Sequence, residues 1–246
     1  MHTCLVIPHY DHLDQFKPVL PQLAGTGLPL IVVDDASPEP VFMALKRLIT
    51  ESGFDVTLYR HEQNLGKGGA VTTGLRLATE KGYTHALQID ADGQHDIDCL
   101  GELLAMSEQH PDALVCGAPV FDETISAMRK YGRVLTNGLC RIEALSFSIV
   151  DAMCGFRCYP LAQVEPLLTG TKLPQKMGFD PEILVRSSWS GINLCFVPVQ
   201  VKYPKEGRSH FRYLGDNLEI TWMHTRLLLG MLVRAPQIFI RRVRGG

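Results

Sequence analysis

Leu87-Gln88-Ile89-Asp90-Ala91-Asp92-Gly93-Gln94-His95 is an apolar run that breaks abruptly into acids. Residues 84–89 read as a short buried strand, and the carboxylates follow it at alternating positions. Residues 3–7, 28–33 and 55–59 are apolar runs of the same kind. Between them, residues 38–51 and 68–81 have helical periodicity, with Val71, Leu75 and Ala78 on one face of the second. Strands that alternate with helices form a parallel sheet covered on both faces. Residues 112–115, 149–154 and 192–201 are predicted as further strands, and 123–145 and 178–190 as further helices. The fold class is therefore α/β, with a mostly parallel central sheet and helices on both faces.

Ligands of such sheets bind outside the carboxyl ends of the strands. Pro8 and Tyr10 follow the first strand, Asp34 and Asp35 the second, and Asp90, Asp92 and Gln94 the fourth. Acids delivered to one rim by separate strands repel each other unless a cation joins them. Mg²⁺ or Mn²⁺ suits these hard oxygens and keeps coordination positions open for phosphates. Ser37-Pro38 accounts for a helix start, but not for the two aspartates before it. A carboxylate there can accept from a base N–H or a ribose hydroxyl. Asn64-Leu65-Gly66-Lys67-Gly68-Gly69-Ala70 opens a helix with glycines that let backbone approach a phosphate. It lacks the spacing of a Walker A loop.

The chain has 246 residues, 46% hydrophobic and 20% charged, with a net charge of −2. That composition excludes a disordered chain and a disulfide scaffold, and the net charge argues against nucleic acid as a partner. Seven scattered cysteines read as reduced cytosolic thiols. The N-terminus has no basic n-region and reads as a strand rather than a signal peptide. Charge is segregated. No Lys or Arg occurs between Lys81 and Arg129, whereas from Lys202 onward nine basic residues face three acids. The apolar stretch from Ile220 to Ile240 is broken by His224, Arg226, Arg234 and Pro236, so it does not span a bilayer. As a helix over 216–234 it places Glu219, Arg226 and Arg234 near one face, and Leu218, Trp222, Leu228, Leu229 and Leu232 on the other. Such a helix lies in a membrane interface, with Arg241, Arg242 and Arg244 drawn to anionic lipid, or packs on the domain or a second copy.

These segments in order resemble the family 2 glycosyltransferases, in their dolichyl-phosphate mannosyltransferase-like branch. The matching pieces are Val6–Tyr10, Val32–Ser37, Asn64–Ala70, Asp90–His95, Cys154-Gly155-Phe156-Arg157, Gly178–Leu184, Val197-Pro198-Val199 and Gly207-Arg208-Ser209. The resemblance covers roughly residues 3–212. It implies a GT-A fold over 1–212, with a nucleotide-sugar half (1–120), an acceptor half (121–212) and a C-terminal amphipathic, basic helical appendage (213–246). The DXD motif of the family falls on Asp90 and Asp92. Asp92 and Gln94 hold the metal, with Asp90 reaching the metal or the ribose. Pro8, Tyr10, Asp34, Asp35 and Ala91 line the nucleoside site, and Lys67 approaches the nucleotide or its diphosphate. Two departures are Asp11-His12, where the family often has Asn-Glu, and Ala36, where it usually has glycine.

The resemblance further implies metal-assisted, inverting transfer from a UDP- or GDP-sugar by a single displacement. A hydroxyl acceptor needs a general base, for which Asp180 and Glu182 are the candidates, although Pro181 occupies the place where many hydroxyl-glycosylating relatives carry Asp. A phosphate acceptor needs only cations, and Arg133 and Arg208 are the candidates, with Arg129 and Lys130 nearby. The leading expectation is a lipid-linked acceptor, with polyprenyl phosphate as one form of it, met by a peripheral enzyme on the cytoplasmic face of a membrane. A soluble or protein-bound hydroxyl acceptor is the alternative. A sugar-nucleotidyltransferase would instead need a glycine-rich, arginine-bearing loop after strand one, where this chain has Pro8-His9-Tyr10.

Overall fold

Side-chain alternation along the strands sorts the interior into two apolar layers. The computed structural model describes residues 1–121, 127–201 and 213–245. Its strands are β1 (Thr3–His9), β2 (Leu30–Asp34), β3 (Val56–Arg60), β4 (His85–Gln88), β5 (Leu114–Phe121), β6 (Arg157–Pro160) and β7 (Leu194–Val201). Its helices are α1 (Leu13–Ala24), α2 (Glu39–Ser52), α3 (Lys67–Glu80), α4 (Leu100–Gln109), α5 (Ala127–Glu143), α6 (Leu161–Gly170), α7 (Phe179–Ser190) and α8 (Tyr213–Gly245). The seven strands form one sheet in the order β3-β2-β1-β4-β6-β5-β7. Only β6 runs antiparallel to its neighbours.

Leu5, Ile7, Leu30 and Val32 point to the layer shared with α1, α2 and α4. Cys4, Val6, Ile31 and Val33 point to the layer shared with α3 and α5–α8. This period-two split is what a sheet covered on both faces requires. The mostly parallel sheet of the sequence reading is thus present.

Three features differ from the sequence reading. Residues 149–154 are not a strand; the strand is β6, a few residues later. Asp151 is the reason, because its Oδ1 accepts from the backbone N–H groups of Met153 and Cys154 at 2.9 and 2.8 Å. A short acidic side chain that bonds its own backbone in this way turns the chain out of a ladder. Helices α1, α4 and α6, which are not among the predicted helices, also form, α1 despite Pro18 and Pro21 and α6 despite Pro166. Burial of Phe16, Val19, Leu20 and Leu23 against the sheet outweighs the lost helical hydrogen bonds in α1. Finally, α8 is longer than 216–234, running 33 residues.

The long helix divides its apolar residues between two uses. Met223, Leu227 and Ile238 are buried in the layer beneath it, while Leu218, Trp222, Leu229 and Leu232 remain exposed. Among the described residues, no helix is long and apolar enough to cross a membrane.

Candidate active site

The register brings three strand ends to one rim. His9 is the partner of Asp34 across β1 and β2, and Ile89 N–H donates to Val6 O at 3.0 Å. Pro8 and Tyr10, Asp34 to Ser37, and Asp90 to His95 therefore share an edge. A groove of about 360 Å³ opens beside them, lined by Asp11, Asp14 and Pro40 among others.

Asp34 and Asp35 do not present open carboxylates there. Asp34 is fully buried. Its Oδ1 is 3.1 Å from His9 Nδ1, and its Oδ2 accepts from Ser37 N–H at 3.1 Å. Burial pushes this carboxyl up, but the hydrogen bonds from His9 and Ser37 hold it below the usual carboxylate range. Asp35 accepts from Leu65 N–H at 2.9 Å and Gly66 N–H at 2.6 Å, with His61 Nδ1 2.7 Å away. Both side chains fasten the end of β2 to the loops around it. Between Asp35 and Ser37, Ala36 has φ of 58°, a left-handed backbone that costs an L-residue roughly 1–2 kcal/mol. Ala36→Gly is therefore expected to stabilise the fold by about 1 kcal/mol, read as a higher midpoint in thermal or urea unfolding.

The densest polar cluster lies where β4 meets α3 and α7. Lys67, the first residue of α3, places Nζ 2.8 Å from Asp90 Oδ2 and 3.1 Å from Asp180 Oδ2. Burial disfavours the ammonium, yet Asp180 and Asp90 together raise it above the ordinary lysine range. Burial likewise opposes ionisation of Asp90, and Lys67 with His95 reverses this and holds its carboxyl well below normal. His95 Nε2 is 3.9 Å from Asp90 Oδ2. Asp92 differs: burial and the charge of Asp90 push its carboxyl up. Its Oδ1 accepts from Gln94 N–H at 3.0 Å, closing the turn that carries the carboxamide. Ala91 is buried between the two aspartates.

Four buried side-chain atoms of this cluster have no hydrogen-bond partner among the described residues: Gln88 Nε2, Asp90 Oδ1, His95 Nδ1 and Asp180 Oδ1. Orphaned buried polar atoms are uncommon. Two of these are carboxylate oxygens and the neighbouring Asp92 ionises at a cost, a chemistry that suits a divalent cation, although among the described residues the carboxylates of Asp90, Asp92 and Asp180 do not close on one point.

Gln88, Tyr159, Gly155 and Arg157 carry parts of the site that the candidate residues do not include. Tyr159 O–H donates to Gln88 Oε1 at 2.9 Å and so sets the amide. A polar residue inside an apolar strand was the one sequence signal for Gln88. Gly155 lies over the cluster. A Cβ there would fall 2.5 Å from Lys67 Nζ, 2.8 Å from Gln88 Nε2 and 3.1 Å from Asp90 Oδ2. Gly155→Ala is expected to displace Lys67 and weaken nucleotide binding by on the order of 10²-fold with the fold retained, measured by calorimetric titration alongside circular dichroism. Arg157 is fully buried and donates to three carbonyls, Cys154 O at 2.8 Å, Asp180 O at 2.7 Å and Ala152 O at 2.8 Å.

Two expected catalytic residues face elsewhere. Glu182 lies two positions, or roughly 200°, around α7 from Asp180. It is fully buried, held by Arg186 at 2.8 Å and by Arg226 of α8 at 2.7 Å, so it ties α8 to α7 and is not a base. Arg133 is a bidentate partner of Asp151, at 2.5 and 3.0 Å. Its fork is filled by that carboxylate, and it anchors the 151–154 turn to α5 instead of clamping an acceptor. Arg208 lies outside the described residues. Cys140, Glu143 and His224 meet between α5 and α8, with Glu143 Oε1 2.7 Å from His224 Nδ1.

A sheet of this order, with the acidic rim at the carboxyl ends of β1, β2 and β4, has the GT-A architecture that the sequence resemblance implied. The chain matches the model of glycosyl transferase family 2 over residues 4–155 and belongs to that family, in its dolichyl-phosphate mannosyltransferase-like branch. It is 26% identical over 217 residues to the UDP-N-acetylglucosamine–dolichyl-phosphate N-acetylglucosaminyltransferase of Methanococcus voltae, covering 81% of this chain and 85% of that one. It is 25% identical over 211 residues to the undecaprenyl-phosphate mannosyltransferase of Micrococcus luteus, covering 81% and 83%. Among solved structures, glucosyl-3-phosphoglycerate synthase from Mycobacterium tuberculosis, in complex with Mn²⁺, UDP and phosphoglyceric acid, aligns with a TM-score of 0.64 at 14% identity, over 93% of this chain and 78% of that one. TarS of S. aureus (residues 1–349) in complex with UDP aligns with a TM-score of 0.64 at 15% identity, over 95% and 66%.

Proposed function

We propose that this enzyme moves a sugar from a nucleoside-diphosphate sugar to a polyprenyl phosphate by a single inverting displacement that depends on Mg²⁺ or Mn²⁺. The observation that carries the reading is the unpartnered carboxylate oxygen of Asp90 beside Asp92 and Gln94, at a sheet rim. Asp90, Asp92 and Gln94 would hold the cation, whose chemistry is Lewis-acid stabilisation of the departing diphosphate. Lys67 holds Asp90 and Asp180 at fixed separation and adds positive charge where negative charge develops. Pro8 and Tyr10 flank the nucleoside, next to the groove lined by Asp11, Asp14 and Pro40.

A phosphate acceptor supplies its own nucleophilic anion, so no residue need remove a proton. Two observations support this choice. Asp180 is bound to Lys67, and Glu182 is buried away from the rim. The named substrates of the two relatives above, dolichyl phosphate and undecaprenyl phosphate, belong to the same class. The exposed apolar residues of α8 support work at a membrane surface, which we place on the cytoplasmic side.

A thermal-shift series with UDP and GDP, with and without Mn²⁺, tests the donor side. One nucleotide should raise the midpoint only when the cation is present, by the equivalent of about 2.7 kcal/mol at a hundred times its Kd. No shift with either nucleotide plus Mn²⁺ overturns the reading. On the acceptor side, Asp180→Asn should lower the rate on polyprenyl phosphate less than about tenfold, whereas loss of a general base costs about 10²–10⁴-fold.

A further inference from the structure

We infer that α5 and α8 together form the surface that seats this protein on an anionic bilayer. The two helices are neighbours in one layer, joined by the buried Glu143–His224 contact at 2.7 Å and by Cys140, Met223 and Leu227 in a shared core. Each buries one stripe and leaves another apolar stripe uncovered. On α5, Met128, Tyr131 and Leu135 recur at helical spacing and are at least 65% exposed. On α8, Trp222, Leu229 and Val233 do the same and are at least 59% exposed. Isolated exposed apolar residues are ordinary, but a stripe on each of two neighbouring helices is not.

Charge selects the occupant. Over α5 and α8 (residues 127–143 and 213–245), nine Lys and Arg stand against three acids, Glu143, Asp216 and Glu219, in a chain whose net charge is −2. Asp151 and Glu182, from other elements, neutralise two of the nine, Arg133 and Arg226. Apolar side chains with tryptophan and tyrosine among them, set amid an excess of basic residues, match the headgroup region of an anionic leaflet. A second copy would bring two like-charged faces together, which opposes self-pairing. The helix α5 also holds the 151–154 turn through Arg133 and Asn137, so the same element faces lipid on one side and the site on the other.

This inference deepens the proposed function by naming the surface that would bring the enzyme to a lipid-borne acceptor, and its test separates the two. The full-length chain is floated with vesicles of phosphatidylcholine, with and without phosphatidylglycerol, while Mn²⁺-dependent nucleotide binding is measured in vesicle-free buffer. Wild type should float with the anionic vesicles only, and added salt should weaken this. Leu135→Glu on α5 and Leu229→Glu on α8 should each reduce flotation by about tenfold or more, with nucleotide binding unchanged. If Leu135→Glu floats like wild type, α5 is not part of the seat and the inference falls. If wild type does not float but elutes as a dimer that either variant dissociates, the surface pairs two copies and the inference also falls. Nucleotide binding without flotation overturns this inference alone, and flotation without nucleotide binding overturns the proposed function alone.

Discussion

Asp92→Ala should abolish metal-supported nucleotide binding and lower turnover by about 10³-fold or more, the equivalent of several kcal/mol of lost charge stabilisation. The same variant should fold at least as well as wild type in the absence of cation. Burial and the neighbouring Asp90 push the Asp92 carboxyl up, so the native state holds that proton more tightly than the unfolded chain does. The resulting stability is full below the unfolded pKa and is lost as pH rises through the native one. At neutral pH the ionised side chain is thus a cost to folding, relieved by a cation or by alanine. Two measurements check this. The unfolding midpoint of Asp92→Ala should equal or exceed that of wild type at pH 7, and the difference should vanish in acid. Mn²⁺ affinity of wild type should fall as pH drops through the raised Asp92 pKa, because the proton and the ion compete for one oxygen. A variant that binds nucleotide and Mn²⁺ normally removes Asp92 from the site.

Arg157→Met should be the most destabilising single change, on the order of 3–5 kcal/mol, lowering the melting midpoint by roughly 10 °C. The guanidinium is fully buried and, among the described residues, pairs with no carboxylate; its partners are the carbonyls of Ala152, Cys154 and Asp180. Removing it takes a charged donor from three buried carbonyls and frees the turn that carries Gly155. Arg157→Lys keeps the charge but not the planar fork, so it should recover only part of the loss. Nucleotide affinity should decline in both variants even below the melting range, because Arg157 also holds the backbone of Asp180, the partner of Lys67. If Arg157→Met melts like wild type, the clamp does not support this fold.

The strand-helix alternation was legible because period-two and 3.6-residue patterns are local. Residues 3–7, 84–89 and 68–81 needed no partner to be recognised. The 149–154 segment was misjudged because its apolar residues resemble a strand, while the Asp151 side chain bonds the local backbone and receives Arg133 and Asn137 from α5. Helices α1 and α6 were hidden by their prolines, whose cost is local while the burial that offsets it comes from the sheet. The acids at the rim could be found by their position after strands. Their division of labour could not: Asp34 and Asp35 are met by His9, His61 and backbone N–H groups from across the fold, whereas Asp92 is met by the N–H of Gln94 in its own turn and by the charge of Asp90.

Order of residues along the chain was enough to establish the class of sheet, the rim at which its acids gather, the family, and the segregation of basic charge toward the C-terminus. Each of these depends on neighbours in sequence. Tertiary structure alone decided that Glu182 braces α8, that Arg133 is spent on Asp151, that Lys67 joins Asp90 to Asp180, and that α5 lies beside α8. Those outcomes turn on which groups meet across 18 residues of chain (Arg133 with Asp151) to 113 (Lys67 with Asp180), and pairing over such distances is set by packing rather than by any local pattern.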